Sequence, residues 1–233
     1  MTAPSDPRSD RLISATLTFL RRTLKVSGAM FYWIDPTLET SNDAVIDMPG
    51  DLVDRYRAEM RLFDPLLVSR LVKAGTKVGL LDREASSIAP EDFARYRAFL
   101  ASYDVVDNID LLFFADGVAY AGVSLARRSG EPPLPEDAET LEAIRDYLEF
   151  TLQTHARLRA MRLKDRLAGE AGLTKREIDV VELICAGASN QDIAELLGLR
   201  LQTVKSYVRE IFQKMGCDSR VALVARVTRL QVP

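Results

Sequence analysis

The sequence predicts two domains: an α+β domain with an antiparallel sheet flanked by helices, followed by an all-α domain that contains a helix-turn-helix. Three observations lead to this prediction. A length of 233 residues is sufficient for two domains. Dense runs of aromatic and branched residues, typical of strands, are confined to the N-terminal part. Helical periodicity interrupted by glycines fills the C-terminal part.

Charge also divides the chain. Residues 1–157 carry 18 Lys and Arg against 25 Asp and Glu, whereas residues 158–233 carry 13 against 9. The overall net charge of −3 therefore conceals an acidic part and a basic part. This asymmetry is typical of a nucleic-acid-binding module attached to an acidic regulatory domain.

The elements of the N-terminal part follow from the spacing of its apolar residues. Helices are predicted over 11–26, 50–62, 65–74 and 90–102, and strands over 29–35, 44–47 and 77–81. Asp64 and Pro65 fit the N-cap and the first residue of the helix at 65–74. Residues 109–127 predict two strands joined by an Asp116-Gly117 hairpin turn.

A long helix is predicted from 137 to about 168. Its apolar stripe fits a dimer seam and a face packed on the sheet equally well, and comprises Leu141, Ile144, Leu148, Thr151, Leu152, His155 and Leu158. The charged, glycine-containing segment 164–172 predicts an interdomain linker. The proposed domains are therefore 1–163 and 173–233.

Cap residues define the helices of the C-terminal part. Thr174 and Glu177 form a capping-box pattern, Ser189 is a second N-cap, and Gly187 and Gly198 end helices. The next helix, about 201–215, has an apolar face and an opposite face made of Gln202, Lys205, Ser206, Arg209 and Gln213. A recognition helix in a major groove has this two-sided pattern, as does a solvated amphipathic helix.

The complete pattern distinguishes these two interpretations. LTKRE, AGASNQDIAELLGL, TVKSYV and KMGCDSR occur in order between residues 173 and 220. They closely resemble the DNA-binding domain of the LuxR superfamily. The resemblance implies a four-helix domain that binds duplex DNA as part of a transcriptional regulator. It implies base contacts by Lys205, Ser206 and Arg209, and phosphate contacts by Thr203, Tyr207 and Lys214; Gln202 lies on the same outer face.

Two positions depart from that family pattern. Tyr207 replaces a usual histidine, and Arg200 replaces the usual Ser or Thr N-cap at a cost of about 1 kcal/mol. The final helix, 219–230, often provides dimer contacts in the family. Val221, Val224 and Val227 are candidates for a homodimer interface, or they are domain core.

The N-terminal part resembles GAF, PAS and autoinducer-binding domains more weakly. Segment 48–65 is similar to the region in which quorum-sensing regulators that bind N-acyl homoserine lactones have a Trp, a Tyr and an Asp-Pro. Tyr56 and Asp64 match that pattern, whereas Leu52 and Leu81 stand at aromatic positions and Asn108 at a structural glycine. These matches make Tyr56, Asp64, Leu52 and Leu81 the predicted ligand-binding residues, with a core aromatic as the alternative for Tyr56 and a helix N-cap for Asp64.

The two leucines bear on the identity of the ligand. Leucine cannot replace the N–H donor of an indole. We therefore expect a non-standard small molecule or a filled pocket with no ligand. A standard lactone-responsive regulator is the alternative.

Other function classes find little support. No apolar run approaches the roughly 20 residues of a bilayer span, and no signal core precedes the domain, so a cytoplasmic protein without membrane contact is expected. Cys185 and Cys217, with one histidine, do not make a zinc site, so neither metal nor cofactor is expected, and the thiols are expected to be buried. An enzyme using Glu84, Asp104 and Asp107, or a pure interaction module, are the remaining alternatives.

Overall fold

Five strands form the centre of the N-terminal unit: β1 (Gly28–Ile34), β2 (Thr40–Ile46), β3 (Val78–Leu80), β4 (Val105–Ala115) and β5 (Val118–Arg128). All neighbouring pairs are antiparallel, in the order β2-β1-β5-β4-β3. The computed structural model describes residues 7–135 and 137–230. These residues fall into two compact units, one ending at His155 and the other beginning at Ala156.

Helices of the first unit are α1 (Pro7–Leu24), α2 (Leu52–Arg55), α3 (Val68–Ala74), α4 (Pro90–Ala101) and α5 (Ala138–Leu152). Between α2 and α3 the chain forms a π-helical turn, Tyr56–Met60, and a 3₁₀ turn, Arg61–Phe63; a further 3₁₀ turn spans Ala85–Ser87. The α+β prediction is confirmed, and the helix predicted over 50–62 is a succession of three helix types.

The two faces of the sheet are buried by different helices, because successive side chains of a strand point to opposite faces. Helix α1 packs against β1, and α5 packs against β3 and β4. On β1, Trp33 contacts His155, with 4.9 Å between ring centroids. Tyr32, Ile34 and Leu112 belong instead to a core shared with the segment from α2 to α4.

The apolar stripe of the predicted long helix packs on the sheet. Leu141, Leu148 and Leu152 are buried, whereas Tyr147 and Phe150 of the same helix are exposed. The predicted single helix is also interrupted at 153–155, after which α6 (Ala156–Gly169) begins. The part of the stripe that lies in α5 therefore has the intramolecular packing, whereas Leu158 lies in α6 of the second unit.

The C-terminal unit consists of α6, α7 (Lys175–Cys185), α8 (Asn190–Leu197), α9 (Leu201–Met215) and α10 (Arg220–Leu230). Ile184, Ile193, Val204, Ile211 and Leu223 are buried in one core. The first six residues of the predicted linker 164–172 are helical, and Leu167 of α6 is buried in that same core. The domain boundary at 164–172 stays a prediction.

Among the described helices, none combines the length and the hydropathy that crossing a membrane requires. Both cysteines are free thiols, but Cys185 is exposed and Cys217 half-buried, so the expected burial of the two thiols is wrong.

Candidate functional site

Helix α9 presents one polar face to solvent. Gln202, Thr203, Lys205 and Arg209 are exposed, while the opposite face is buried through Val204, Ile211 and Met215. Within the described part of the chain, the side chains of Lys205 and Arg209 make no hydrogen bond or ion pair. Their charged groups are therefore available to an acceptor outside the protein.

The other predicted contacts on α9 are less exposed. The Ser206 hydroxyl donates to the carbonyl oxygen of Gln202 at 3.2 Å, which leaves its lone pairs for an external donor. Tyr207 is half-buried and packs against the core of the unit. These two side chains border the exposed face formed by Lys205 and Arg209.

Lys214 has a partner inside the unit. Its Nζ lies 2.7 Å from Oε2 of Glu177, a residue only 1% exposed. The same Oε2 accepts from the backbone N–H of Thr174 at 2.6 Å, which completes the capping box of α7. Burial opposes ionisation of Glu177, but the Lys214 ammonium and the Thr174 donors together lower its pKa. Lys214 thus joins α9 to α7.

The turn before α9 sets the direction of the exposed face. Ser189 and Asp192 form a capping box at the start of α8. Gly198 ends α8 in the left-handed conformation, with φ of +63°, which glycine adopts without strain. Arg200 then occupies the N-cap of α9 and makes no side-chain cap hydrogen bond. The helix-turn-helix and its unfilled cap are as the sequence predicts.

The three valines of α10 do not lie on one surface. Val227 is buried at 1% exposure, Val224 is half-buried, and Val221 is 80% exposed. Val227 is therefore domain core, which leaves Val221 as the exposed candidate for a subunit contact.

A cavity of about 70 Å³ lies in the N-terminal unit, between the sheet and the segment from α2 to α4. Leu52, Tyr56 and Asp64, three of the four predicted ligand residues, line it. Leu81 does not line it, and its side chain is fully buried in the adjacent core. The prediction of Leu81 as a ligand residue therefore needs correction, because this side chain serves packing.

Asp64 is not the N-cap of α3. That helix begins at Val68, and its N-cap is Leu67. Asp64 instead accepts a hydrogen bond from the N–H of Leu66 at 2.8 Å and one from the Tyr56 hydroxyl at 2.7 Å. Both Tyr56 and Asp64 line the cavity, so the helix-cap interpretation is wrong.

A second carboxylate in the cavity was not predicted. Asp110 of β4 is buried and accepts from the Tyr32 hydroxyl at 2.8 Å. Asn108 approaches Asp110 at 3.5 Å and accepts from Ser124 at 3.1 Å. The sequence signal for this polar cluster is the two-residue spacing of Asn108 and Asp110 in β4, which places both on one face.

Burial determines the titration of these groups. It raises the pKa of Asp64 to about 6. Burial, followed by the charge of Asp64, raises the pKa of Asp110 to about 7. Burial also raises the pKa of Tyr32, Tyr56 and Tyr96, so their hydroxyls stay protonated and act as donors.

The carboxylates considered for an enzyme lie elsewhere. Asp107 of β4 is 3.8 Å from Nε of Arg127. Neither Asp107, Glu84 nor Asp104 lines the cavity. The structure therefore does not join these acids to the concave site of this unit.

Comparison with known proteins gives a match over the C-terminal unit. Residues 171–227 match the family described as bacterial regulatory proteins, luxR family. The nitrate/nitrite response regulator protein NarP of Escherichia coli is 44% identical over 50 residues, which are 22% of this chain and 23% of that protein.

Two further proteins are similar over most of the chain. The monoamine regulon transcriptional regulator of Klebsiella aerogenes is 26% identical over 219 residues, covering 94% of this chain and 91% of that one. The crystal structure of SdiA from Escherichia coli has a TM-score of 0.48 and 17% identity, and the match covers 100% of this chain and 94% of that chain.

Proposed function

Since residues 171–227 are a helix-turn-helix domain of the luxR family of bacterial regulatory proteins, we propose that this transcriptional regulator reads operator DNA with α9 and senses a small molecule with its N-terminal unit. The observation that supports DNA reading by α9 is its exposed face, where Lys205 and Arg209 have no partner among the described residues. We also propose that the protein acts in the cytoplasm.

Direct readout is assigned to Lys205, Ser206 and Arg209. Lys and Arg donate to O6 and N7 of guanine, and a hydroxyl can either donate or accept. Gln202, Thr203 and Tyr207 lie close to them on α9 and suit phosphate or base-edge contacts. Lys214 stays a predicted phosphate contact, although its ion pair with Glu177 supports a structural role as well.

An electrophoretic mobility-shift experiment tests this assignment. The probe is a duplex identified by footprinting upstream of the protein's own gene. Lys205→Ala combined with Arg209→Ala is expected to weaken binding by about 1–3 kcal/mol for each guanine that is no longer bound by a side chain. The matched control, Arg159→Ala with Lys164→Ala, removes two exposed charges from α6 and is expected to bind nearly as wild type. Equal binding by both double variants would contradict the assignment.

The protein is proposed to act as a homodimer. Dimeric helix-turn-helix proteins place two recognition helices in half-sites about one helical turn apart. Exposed Val221 on α10 supports a subunit contact in the C-terminal unit. The acidic N-terminal unit would supply further dimer contacts and the regulatory input.

The sensed molecule is proposed to differ from an N-acyl homoserine lactone. Leu52 lines the cavity and offers no N–H donor where an indole would. We expect such lactones to leave the melting temperature of the full-length protein unchanged. Lactone-dependent stabilisation, which raises the melting temperature by mass action, would instead favour the standard quorum-sensing response.

The Klebsiella aerogenes relative adds one candidate class of signal. That protein is named as the regulator of a monoamine regulon. Amines are therefore among the compounds to be tested first on this chain.

A further inference from the structure

The cavity contains two acidic groups within an apolar wall. Met30, Leu52, Val68 and Leu100 are among the apolar lining residues, and Asp64 and Asp110 line the same space. Asp64 is 5% exposed and Asp110 is 7% exposed. Both carboxylates are thus largely removed from water while they face one internal volume.

Among the residues that the structure describes, only neutral groups donate hydrogen bonds to these two carboxylates. The donors to Asp64 are the hydroxyls of Tyr56 and Tyr96 and the Leu66 N–H. The donors to Asp110 are the Tyr32 hydroxyl and the side-chain amide of Asn108. In residues 7–135 and 137–230, neither aspartate forms an ion pair, although the charge of Arg70 acts on Asp64 from beyond ion-pair distance. Arg61, which lines the cavity, is paired with Glu39 at 2.7 Å.

A buried carboxylate without a cation is costly, because desolvation disfavours the charged form. A protonated amino group carries the opposite charge and has three N–H donors. It can therefore neutralise a buried carboxylate and donate hydrogen bonds to it. An anionic ligand would meet repulsion from the same groups. The negatively charged cavity therefore favours cationic ligands over anionic ones.

We propose that this cavity binds a small monoamine, with its ammonium group at Asp64 and Asp110 and its apolar part against the remaining wall. The proposal rests on the proposed sensory function and specifies the chemistry of its ligand. The rings of Tyr32, Tyr56 and Tyr96 line the same space, and aromatic faces attract cations.

The apolar wall and the volume of the cavity also restrict the ligand. Met30, Leu52 and Leu100 suit the uncharged part of the molecule. The volume of about 70 Å³ favours a compact body. Met30 and Met48 have flexible side chains that can enlarge the space for an aromatic ring.

Isothermal titration of the full-length protein tests the proposal at pH 7.5. Benzylamine and benzyl alcohol differ only in the amino or hydroxyl group, so their affinity ratio isolates the charge. We expect benzylamine to bind roughly tenfold to a hundredfold more tightly than the alcohol, as for a hydrogen bond to a charged group.

The variant Asp110→Asn keeps the shape of the side chain and removes its charge. It is expected to weaken benzylamine binding at least about tenfold and to weaken benzyl alcohol binding much less, because the alcohol carries no charge. Asp107→Asn is the matched control, because Asp107 lies on the same strand but outside the cavity lining. Circular dichroism confirms folding, and the wild-type amine-to-alcohol ratio tests the proposal without any variant.

Equal affinity for benzylamine and benzyl alcohol would overturn the amine proposal, as would unchanged benzylamine binding by a folded Asp110→Asn protein. The mobility-shift experiment separates this failure from failure of the proposed function. Loss of the amine preference with intact DNA binding refutes the ligand class alone. Amine binding in a protein that does not bind DNA refutes the regulatory assignment.

Discussion

Asp110 shows how one side chain couples a cavity to the stability of its domain. It sits on β4 with the hydroxyl of Tyr32 at 2.8 Å, and Asp64 lies near enough for its charge to act on it. Burial and the charge of Asp64 raise the pKa of Asp110 from 3.8 to about 7. At a pH between these two values, Asp110 therefore keeps its proton in the folded protein and releases it in the unfolded chain.

The sign of the resulting pH dependence follows from proton linkage. Between about pH 4 and pH 7 the native state binds more protons than the unfolded state, so wild-type stability falls as pH rises. Asparagine does not titrate, so Asp110→Asn removes the part of this pH-dependent loss of stability that comes from Asp110. We expect the variant to be more stable than wild type by about 2–4 kcal/mol at pH 8 and by almost nothing near pH 4.

Urea unfolding of the full-length protein across this pH range measures the difference. Asp64 and Tyr32 face Asp110, and Asp64 contributes a loss of the same sign. A stability difference that stayed constant from pH 4 to pH 8 would show that the substitution acts through packing and not through charge.

At the scale of elements, β5 is shaped to admit the Tyr32 ring. A Cβ at Gly122 would lie 2.5 Å from both the Cζ and the hydroxyl oxygen of Tyr32. Gly122 is the cross-strand partner of Tyr32. The missing side chain lets this ring lie over β5 and direct its hydroxyl at Asp110.

We therefore expect Gly122→Ala to destabilise the protein by about 1–3 kcal/mol, as overpacked cores do. It should also weaken benzylamine binding, since Tyr32 must move. The comparison is a double-mutant cycle with Tyr32→Ala, measured by thermal unfolding. Equal costs of Gly122→Ala in both backgrounds would exclude the clash as the cause.

Whereas a substitution at Gly122 is expected to destabilise the protein, a substitution at the start of α9 is expected to stabilise it. Arg200 makes no cap hydrogen bond at its N-terminus. Arg200→Ser is expected to raise the free energy of unfolding by about 1 kcal/mol, because serine accepts from a free backbone N–H. Arg200→Ala is the control and lacks that gain. DNA affinity, measured by mobility shift, reveals whether the Arg200 charge also contributes to the operator.

The elements differ in how far sequence could predict them. Caps at Thr174 and Ser189 have local signatures, and both capping boxes are present. The turn from Tyr56 to Met60 has no such signature, because its π-helical form depends on contacts such as the one between Tyr56 and Asp64. Asp110 escaped prediction for the same reason, since a buried acid depends on partners distant in sequence.

For the whole molecule, the prediction concerns assembly on DNA. Val221→Lys is expected to lower affinity for a duplex with two half-sites by roughly tenfold or more and to leave half-site binding unchanged, because a lysine would disrupt an apolar subunit contact. Sedimentation velocity reports the oligomeric state. Val118→Lys, at an exposed valine that begins β5, is the control. An unchanged dimer in the Val221 variant would exclude α10 as the contact.

The sequence is most informative about this scale. The charge asymmetry and the motif order between 173 and 220 predicted both the second unit and its class. The ligand residues were less accessible: Leu81 is core, and the acid at position 110 was missed. The DNA-binding motif has a fixed spacing within one short segment. The residues that line the cavity are instead distributed between positions 30 and 126, so no local pattern identifies them.

One carboxylate in the C-terminal unit has a mechanical consequence. Glu177 holds the start of α7 and the end of α9 at the same oxygen atom, through Thr174 and Lys214. Helix α9 therefore cannot roll about its axis without breaking the ion pair between Lys214 and the buried carboxylate of Glu177. If α9 reads DNA as proposed, an imperfect operator would meet a stiff domain, and the duplex would have to bend or twist to fit. Base steps that this protein never touches would then influence its affinity through the flexibility of the DNA.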